Sequence, residues 1–359
     1  MNKLILSFGL FFLSSSLFSQ VLPFVDYNDY LKVFYMGQAR QLEYQRVQSF
    51  AFGDNMLAYI DHKLDLKYYD GKNVYTATNM MVDYKVSDNY LAFKVANALY
   101  YIENNKPRNL TMFAGNFIVK DSLILFEDTR FNTWNIVYKG TVKPLYQMTS
   151  TLFEPAFVGE NIVAFKDNGE LYKVFHNGQI YEFGVWLDPI KFAAGTDILC
   201  FNDPTMSTFV VFENGEFMDV ESQFAQSYKS GRDFIVYQDI NGNLMHYAKG
   251  KKTLLSNFPK MYDVVDDVVY FIENGFPHTF YNGEKTRIYN NIPADYKLKN
   301  KTIAFRNIMG GVSVFANGKV TELTTQQNSE YEISGNAVLV KLFNRSYLVY
   351  VNGEVYTLN

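Results

Sequence analysis

The sequence predicts an all-β chain built as a ring of small four-stranded sheets, and three observations predict it. Tight hairpin turns recur at a fixed interval. A strand apolar on both faces recurs between them. The composition is rich in aromatics, with 28 Tyr and 32 Phe among 359 residues against two Trp, and Tyr and Phe suit pleated, half-buried surfaces.

The hairpin figure is clearest at Val314-Phe315-Ala316-Asn317-Gly318-Lys319-Val320. It returns around Asn177-Gly178, Asn214-Gly215, Asn282-Gly283 and Asn352-Gly353. Asn-Gly between two apolar runs signals a primed turn, because both central residues need φ > 0. The glycine serves as a marker at Gly37, Gly71, Gly140, Gly178, Gly215, Gly250, Gly283, Gly318 and Gly353, with Asn105 filling the one gap. Successive spacings are 34, 34, 35, 38, 37, 35, 33, 35 and 35 residues. A period of this length means stacked structural repeats.

Upstream of each marker stands an apolar triplet, such as Leu57-Ala58-Tyr59, Val163-Ala164-Phe165, Ile198-Leu199-Cys200 or Ile303-Ala304-Phe305. Consecutive apolar positions describe a strand covered on both faces. Turn residues such as Asp54-Asn55, Asp88-Asn89 and Glu160-Asn161 precede the triplets, so each unit holds about four short strands. In one unit these fall near residues 296–299, 302–306, 312–315 and 320–323. Blades stacked face to face around an axis sandwich their strands in this way. The expected fold is a single β-propeller of four-stranded blades, with repeats of about 35 residues and seven to nine blades. The alternative, an open β-solenoid, lacks the two-sided triplet. Nine full units follow an N-terminal hairpin at residues 30–44, so either two units deviate or the terminal hairpins complete one shared blade.

In chain order, residues 1–19 read as a signal peptide: Lys3 supplies the positive start, Leu4 to Leu13 the apolar core, and a cut falls before Gln20. Ten apolar residues are too few to span a bilayer, which needs about 20. Residues 20–359 form the single propeller domain, since no linker composition justifies a cut. Such a leader predicts export from the cytoplasm. Net charge is −4, which offers nothing to a polyanion such as nucleic acid. The lone Cys200 rules out an internal disulfide and reads as a buried structural thiol.

The search for chemistry finds no motif. His62, His176, His246 and His278 have no metal-ligand spacing, and His176 reads as an exposed turn neighbour. Nucleophile-elbow, P-loop and dinucleotide patterns are absent. Asp239-Ile240-Asn241-Gly242-Asn243 resembles half a calcium loop but lacks the terminal Glu, and reads as a turn. Asp61, Asp128, Asp167, Asp203 and Asp239 follow the triplets. They either ring one face as acid–base candidates or serve as turn residues. No catalytic residue, metal site or cofactor is expected.

Surface remains. The longest additions carry both tryptophans, and Phe131, Trp134, Trp186 and Met206 are the candidate partner-binding residues, of the types that dominate interface centres. The competing reading is that they pack beneath their own loops.

The leader ending in Ser19-Gln20 and the Tyr- and Asn-rich Val-Phe-x-Asn-Gly repeats resemble exported β-propellers of the Bacteroidota. They are similar to periplasmic propellers that include the plug subunit of the type IX secretion translocon. That resemblance implies a non-catalytic periplasmic protein closing an outer-membrane barrel, with a translocon or another periplasmic component as partner and no membrane span of its own. The other class open to the sequence is a secreted propeller that binds or hydrolyses saccharide or peptide.

Overall fold

The computed structural model describes residues 21–148, 157–169, 171–184 and 190–358. Its strands form ten antiparallel sheets, nine of four strands and one of three, each a meander in chain order. They are blade 1 (residues 22–41), 2 (49–78), 3 (83–111), 4 (114–147), 5 (157–182), 6 (192–221), 7 (227–257), 8 (261–287), 9 (296–324) and 10 (330–358). The four strands read at residues 296–323 appear as Tyr296–Lys299, Thr302–Arg306, Val312–Ala316 and Lys319–Thr324.

The apolar triplets explain the stacking. Within Ile162–Lys166, Val163 and Phe165 pack with Leu123 and Leu125 of blade 4. Ile162 and Ala164 pack with Leu199 and Phe201 of blade 6. Side chains alternate across a strand, so one strand feeds two inter-blade cores and no blade stays dry alone. Cys200 is buried in one such core, and burial pushes its thiol well above the usual range. The ring closes where Leu339 and Val349 of blade 10 meet Leu22 and Phe24 of blade 1. There the Phe24 and Tyr347 rings lie 5.2 Å apart, and the Tyr347 hydroxyl donates to the Val25 carbonyl at 2.8 Å.

Ten blades exceed the seven to nine expected. The N-terminal hairpin does not complete a shared blade. Leu31–Tyr35 and Gln38–Gln41 join Leu22–Val25 in a blade of their own, while the C-terminal hairpin belongs to a blade already complete with four strands.

In a meander, successive turns alternate between the two faces of the disc. First-to-second and third-to-fourth strand turns share one, the hairpin face. Second-to-third turns and the connections between blades share the other, the loop face. The Asn-Gly turns lie on the hairpin face with both residues left-handed, for example Asn317 at φ 51 and Gly318 at φ 76, as a primed turn requires.

The first turns link blade to blade near the axis. The Val21 N–H donates to the Asp54 carbonyl at 2.9 Å. Asp54 N–H donates to Asp88 Oδ1 at 2.6 Å, Asp88 N–H to Asp121 Oδ1 at 2.8 Å, and Asp121 N–H to Glu160 Oε2 at 2.9 Å. Backbone carbonyls then take over: Glu160 N–H to Gly195 at 3.1 Å, Thr196 to Arg232 at 2.7 Å, Arg232 to Asp266 at 2.8 Å and Asp267 to Asn300 at 3.2 Å. Lys301 N–H reaches Asn336 Oδ1 of blade 10 at 3.4 Å. Where carbonyls serve, the turns touch so closely that a Cβ at Gly195 would stand 2.0 Å from the Gly231 oxygen.

Gly195→Ala must therefore push two blades apart. Overpacking of this kind costs about 1–3 kcal/mol, and urea unfolding should show a loss of that size. An unchanged midpoint would mean that the turns do not hold the blades in register.

Candidate functional site

The two faces differ in chemistry. Among the described residues, sixteen large apolar side chains stand exposed in connections of the loop face, and one, Met36, stands in a turn of the hairpin face. The most exposed on the loop face include Phe258 (75%), Tyr44 (74%), Ile308 (68%) and Phe343 (67%). They come from connections of most blades, so the apolar tips run around the disc.

Local turn chemistry holds these tips out. The residue closing a buried second strand caps the turn that follows. Asp61 Oδ1 accepts the N–H of Lys63 at 2.8 Å and of Asp65 at 2.9 Å. Asp167 does the same for Gly169 and Leu171, and Asp239 for Asn241 and Asn243, both at 2.8 Å. Asp128 and Asp203 cap through Arg130 and Thr205. All five aspartates thus serve as turn caps. Burial pushes the Asp61 carboxyl up, but Lys67 and these N–H groups outweigh it and hold the group below the usual range. With its polar groups satisfied locally, each turn can spend its tip residue on an apolar side chain.

Phe131 and Met206, both candidates from the sequence, are such tips at 58% and 66% exposure. The Arg130 guanidinium lies 5.5 Å from the Phe113 ring and 5.2 Å from Phe131, bridging two adjacent connections. Trp134 is corrected: at 1% exposure it packs between blades 4 and 5 with Leu123, Ile136 and Phe165. It begins the inward series Trp134, Ile136, Tyr138 on a strand, which is why it serves the core. Trp186 lies outside the described residues. His176 is also corrected. It is buried at 4% exposure, its ring edge-on to Phe212, with Nε2 2.8 Å from Asp197 Oδ1 of the next blade. Phe258, Ile308 and Phe343 were missed, although each follows a second or fourth strand by one or two residues.

The hairpin-face mouth of the axis is polar. A cavity of about 510 Å³ there is lined by first turns, with Asp88, Asp121, Glu160 and Asp266 facing Lys120, Arg232 and Lys299. Asp88, Asp121 and Glu160 each accept a backbone N–H from the preceding blade. The Asn300 amide donates to Asp54 Oδ2 at 3.2 Å, tying blade 9 to blade 2, and Arg232 donates to the Asn300 oxygen. Among the described residues no group of three potential metal-ligating side chains occurs. Burial, with the Glu160 charge beside it, pushes the Asp121 carboxyl up to about 7, against the pull of the Asp88 N–H.

Comparison with known families decides the classification: residues 16–356 match the ten-bladed β-propeller domain. The chain belongs to that family. Solved structures similar to this ten-bladed propeller include the tricorn protease, at TM-score 0.34 and 12% identity, covering 92% of this chain and 46% of that one. The computationally designed Ika8 protein is similar at TM-score 0.37 and 11% identity, covering 95% and 99%. PorZ, an essential bacterial surface component of the type-IX secretion system of Porphyromonas gingivalis, is similar at TM-score 0.29 and 8% identity, covering 92% and 57%. The ten-bladed chain thus spans about half the length of the tricorn protease and PorZ chains. At these scores the likenesses carry no argument about activity or partner. No curated protein matches the sequence.

Asp121 gives the ring a pH dependence of defined sign. Folded, it keeps its proton up to about pH 7, whereas the unstructured group loses it near 3.8. The folded state binds the extra proton between those values, so stability falls as pH rises through that window. Asp121→Asn keeps an oxygen for the Asp88 N–H and removes the charge. Its thermal midpoint should exceed the parent's at about pH 8, with a smaller gain at about pH 5. Equal gains at both would show that Asp121 does not titrate there.

Proposed function

We propose that this ten-bladed propeller is an exported, non-catalytic interaction subunit that seats its loop face on a protein partner at the outer membrane, plugging or capping a protein-secretion translocon. The observation that carries the reading is the separation of faces: sixteen exposed apolar tips on one and a single one on the other. Concentration of exposed apolar side chains on one face makes that face the candidate interaction surface. Phe, Met and an aromatic-stacked Arg are the residue types that concentrate at interface centres. Export rests on the leader read at residues 1–19. Asp88, Asp121, Glu160 and Asp266 at the axial mouth each accept a backbone N–H from a neighbouring blade, which favours interaction over hydrolysis of saccharide or peptide as the protein's work.

An affinity-tagged chain recovered from detergent-solubilised native membranes should carry an outer-membrane protein with it. Replacing Phe131, Phe258 and Phe343 together by Asp should lower that recovery about tenfold or more, as loss of an interface centre does. Folding stability should move by no more than about 0.5 kcal/mol per site, as at exposed positions generally. Undiminished recovery by the triple variant would contradict the assignment of the loop face.

A further inference from the structure

Among the described residues blade 1 has three strands where the other nine blades have four. In the other nine blades an inner strand lines the axis beside the buried second strand, as Ser49–Phe52 lies beside Leu57–Ile60. In blade 1 the equivalent of the second strand is Leu22–Val25, and among the described residues it pairs only outward, with Leu31–Tyr35. Its inner side faces a slot of about 500 Å³ between the inner strands of blades 10 and 2, Glu330–Ser334 and Ser49–Phe52, and reaching Tyr296 of blade 9.

The slot's chemistry is specific. Its apolar lining includes Leu22, Phe24, Tyr331 and the half-exposed Phe50 and Phe52, whose rings lie 6.5 Å apart. All six charged residues around it are already paired: Lys297 with Glu332 at 2.7 Å, Arg306 with Asp295 at 2.9 Å and Lys341 with Glu330 at 3.4 Å. A charged occupant would find no free counter-charge, so the slot suits a neutral one. The backbone sets the rest. Asp26 N–H bonds the Tyr30 carbonyl, and with the register of Leu22 on Phe34 and Phe24 on Lys32 this turns residues 22, 24 and 26 outward. Val21, Pro23 and Val25 therefore face the slot. Val21 N–H already donates to the Asp54 carbonyl and the Val25 carbonyl already accepts from the Tyr347 hydroxyl. With Pro23 lacking an N–H, the edge offers the Val21 and Pro23 carbonyls as acceptors and the Val25 N–H as a donor. Proline on an edge strand discourages pairing with an identical edge, which disfavours a second copy as the occupant.

We propose that the slot receives an extended, uncharged, apolar segment of the partner protein, added as the missing inner strand of blade 1. This rests on the reading above, in which the leader is removed and the partner is a protein. Strand addition draws affinity from main-chain hydrogen bonds and specificity from alternate side chains. Here Phe50 and Phe52 flank the path that those side chains would take.

The test uses the protein as recovered from the periplasm and a fluorescein-labelled, end-blocked heptapeptide of alternating Val and Thr, with binding read by anisotropy. Saturable binding is expected, lost at least about tenfold in Phe52→Asp, which places an unpaired charge in the slot. A peptide with Pro at every second position should not bind. Pro23→Ala restores one donor and should tighten the original peptide about fivefold, the value of one hydrogen bond; this variant stands should Phe52→Asp fail to fold. No binding, binding indifferent to Phe52→Asp in a folded variant, or affinity unchanged by Pro23→Ala would overturn the proposal. So would mass spectrometry finding residues 13–19 retained and shielding the slot, or sedimentation showing dimers that the peptide disperses. Membrane recovery reads the loop face and the peptide reads the slot, so either can fail while the other stands.

Discussion

From blade 1 to blade 10, a backbone N–H ahead of each buried second strand reaches an acceptor in the following blade's first turn. The chain of bonds runs from Val21 to Asn336 without skipping a blade. One such bond is worth about 1 kcal/mol net, a small amount beside the inter-blade cores. Its importance is positional. The apolar strands say that blades must stack, but greasy faces can slide; a bond at a fixed turn sets the height of each blade on its neighbour. Glycines at 159, 195 and 231 permit the approach, and carboxylates at 88, 121 and 160 replace the carbonyl acceptor elsewhere.

That registration gives the faces their separate characters. On the hairpin face the Asn-Gly turns are left-handed at both residues and the first turns come close to the neighbouring blade, demands that select Asn, Gly and Asp. Loop-face connections carry no such demand, because an aspartate or asparagine at the end of the second strand satisfies the turn internally. Asn307 does this for Met309 and Gly311 much as Asp239 does for Asn241 and Asn243. Side chains there are free to vary, and loops held by a rigid scaffold are where function usually lies. Phe, Met and Ile fill those places around most of the disc.

Much of the architecture was legible in the residues. The Asn-Gly period located the hairpins, and triplets such as Val163-Ala164-Phe165 identified strands sandwiched between blades, because both features are local. Blade count was not, since Leu22–Val25 reads as an ordinary apolar stretch until its pairing with Leu31–Tyr35 is known. Of the site, Phe131 and Met206 could be found from loop length. The burial of Trp134 was legible in principle from its alternation with Ile136 and Tyr138. His176 was not, because Asp197 and Phe212, which enclose it, belong to another blade. Nor could the face-wide arrangement of tips be seen before the meander assigned alternate turns to opposite sides.

Hydrogen exchange, compared between the free protein and its complex in detergent with the partner it brings from the membrane, tests the central claim most directly. The account predicts new protection in the loop-face connections around residues 128–132, 239–242, 307–310 and 342–346, with the Asn-Gly turns at 214–215, 282–283 and 317–318 exchanging as before. Protection concentrated in those Asn-Gly turns would contradict it.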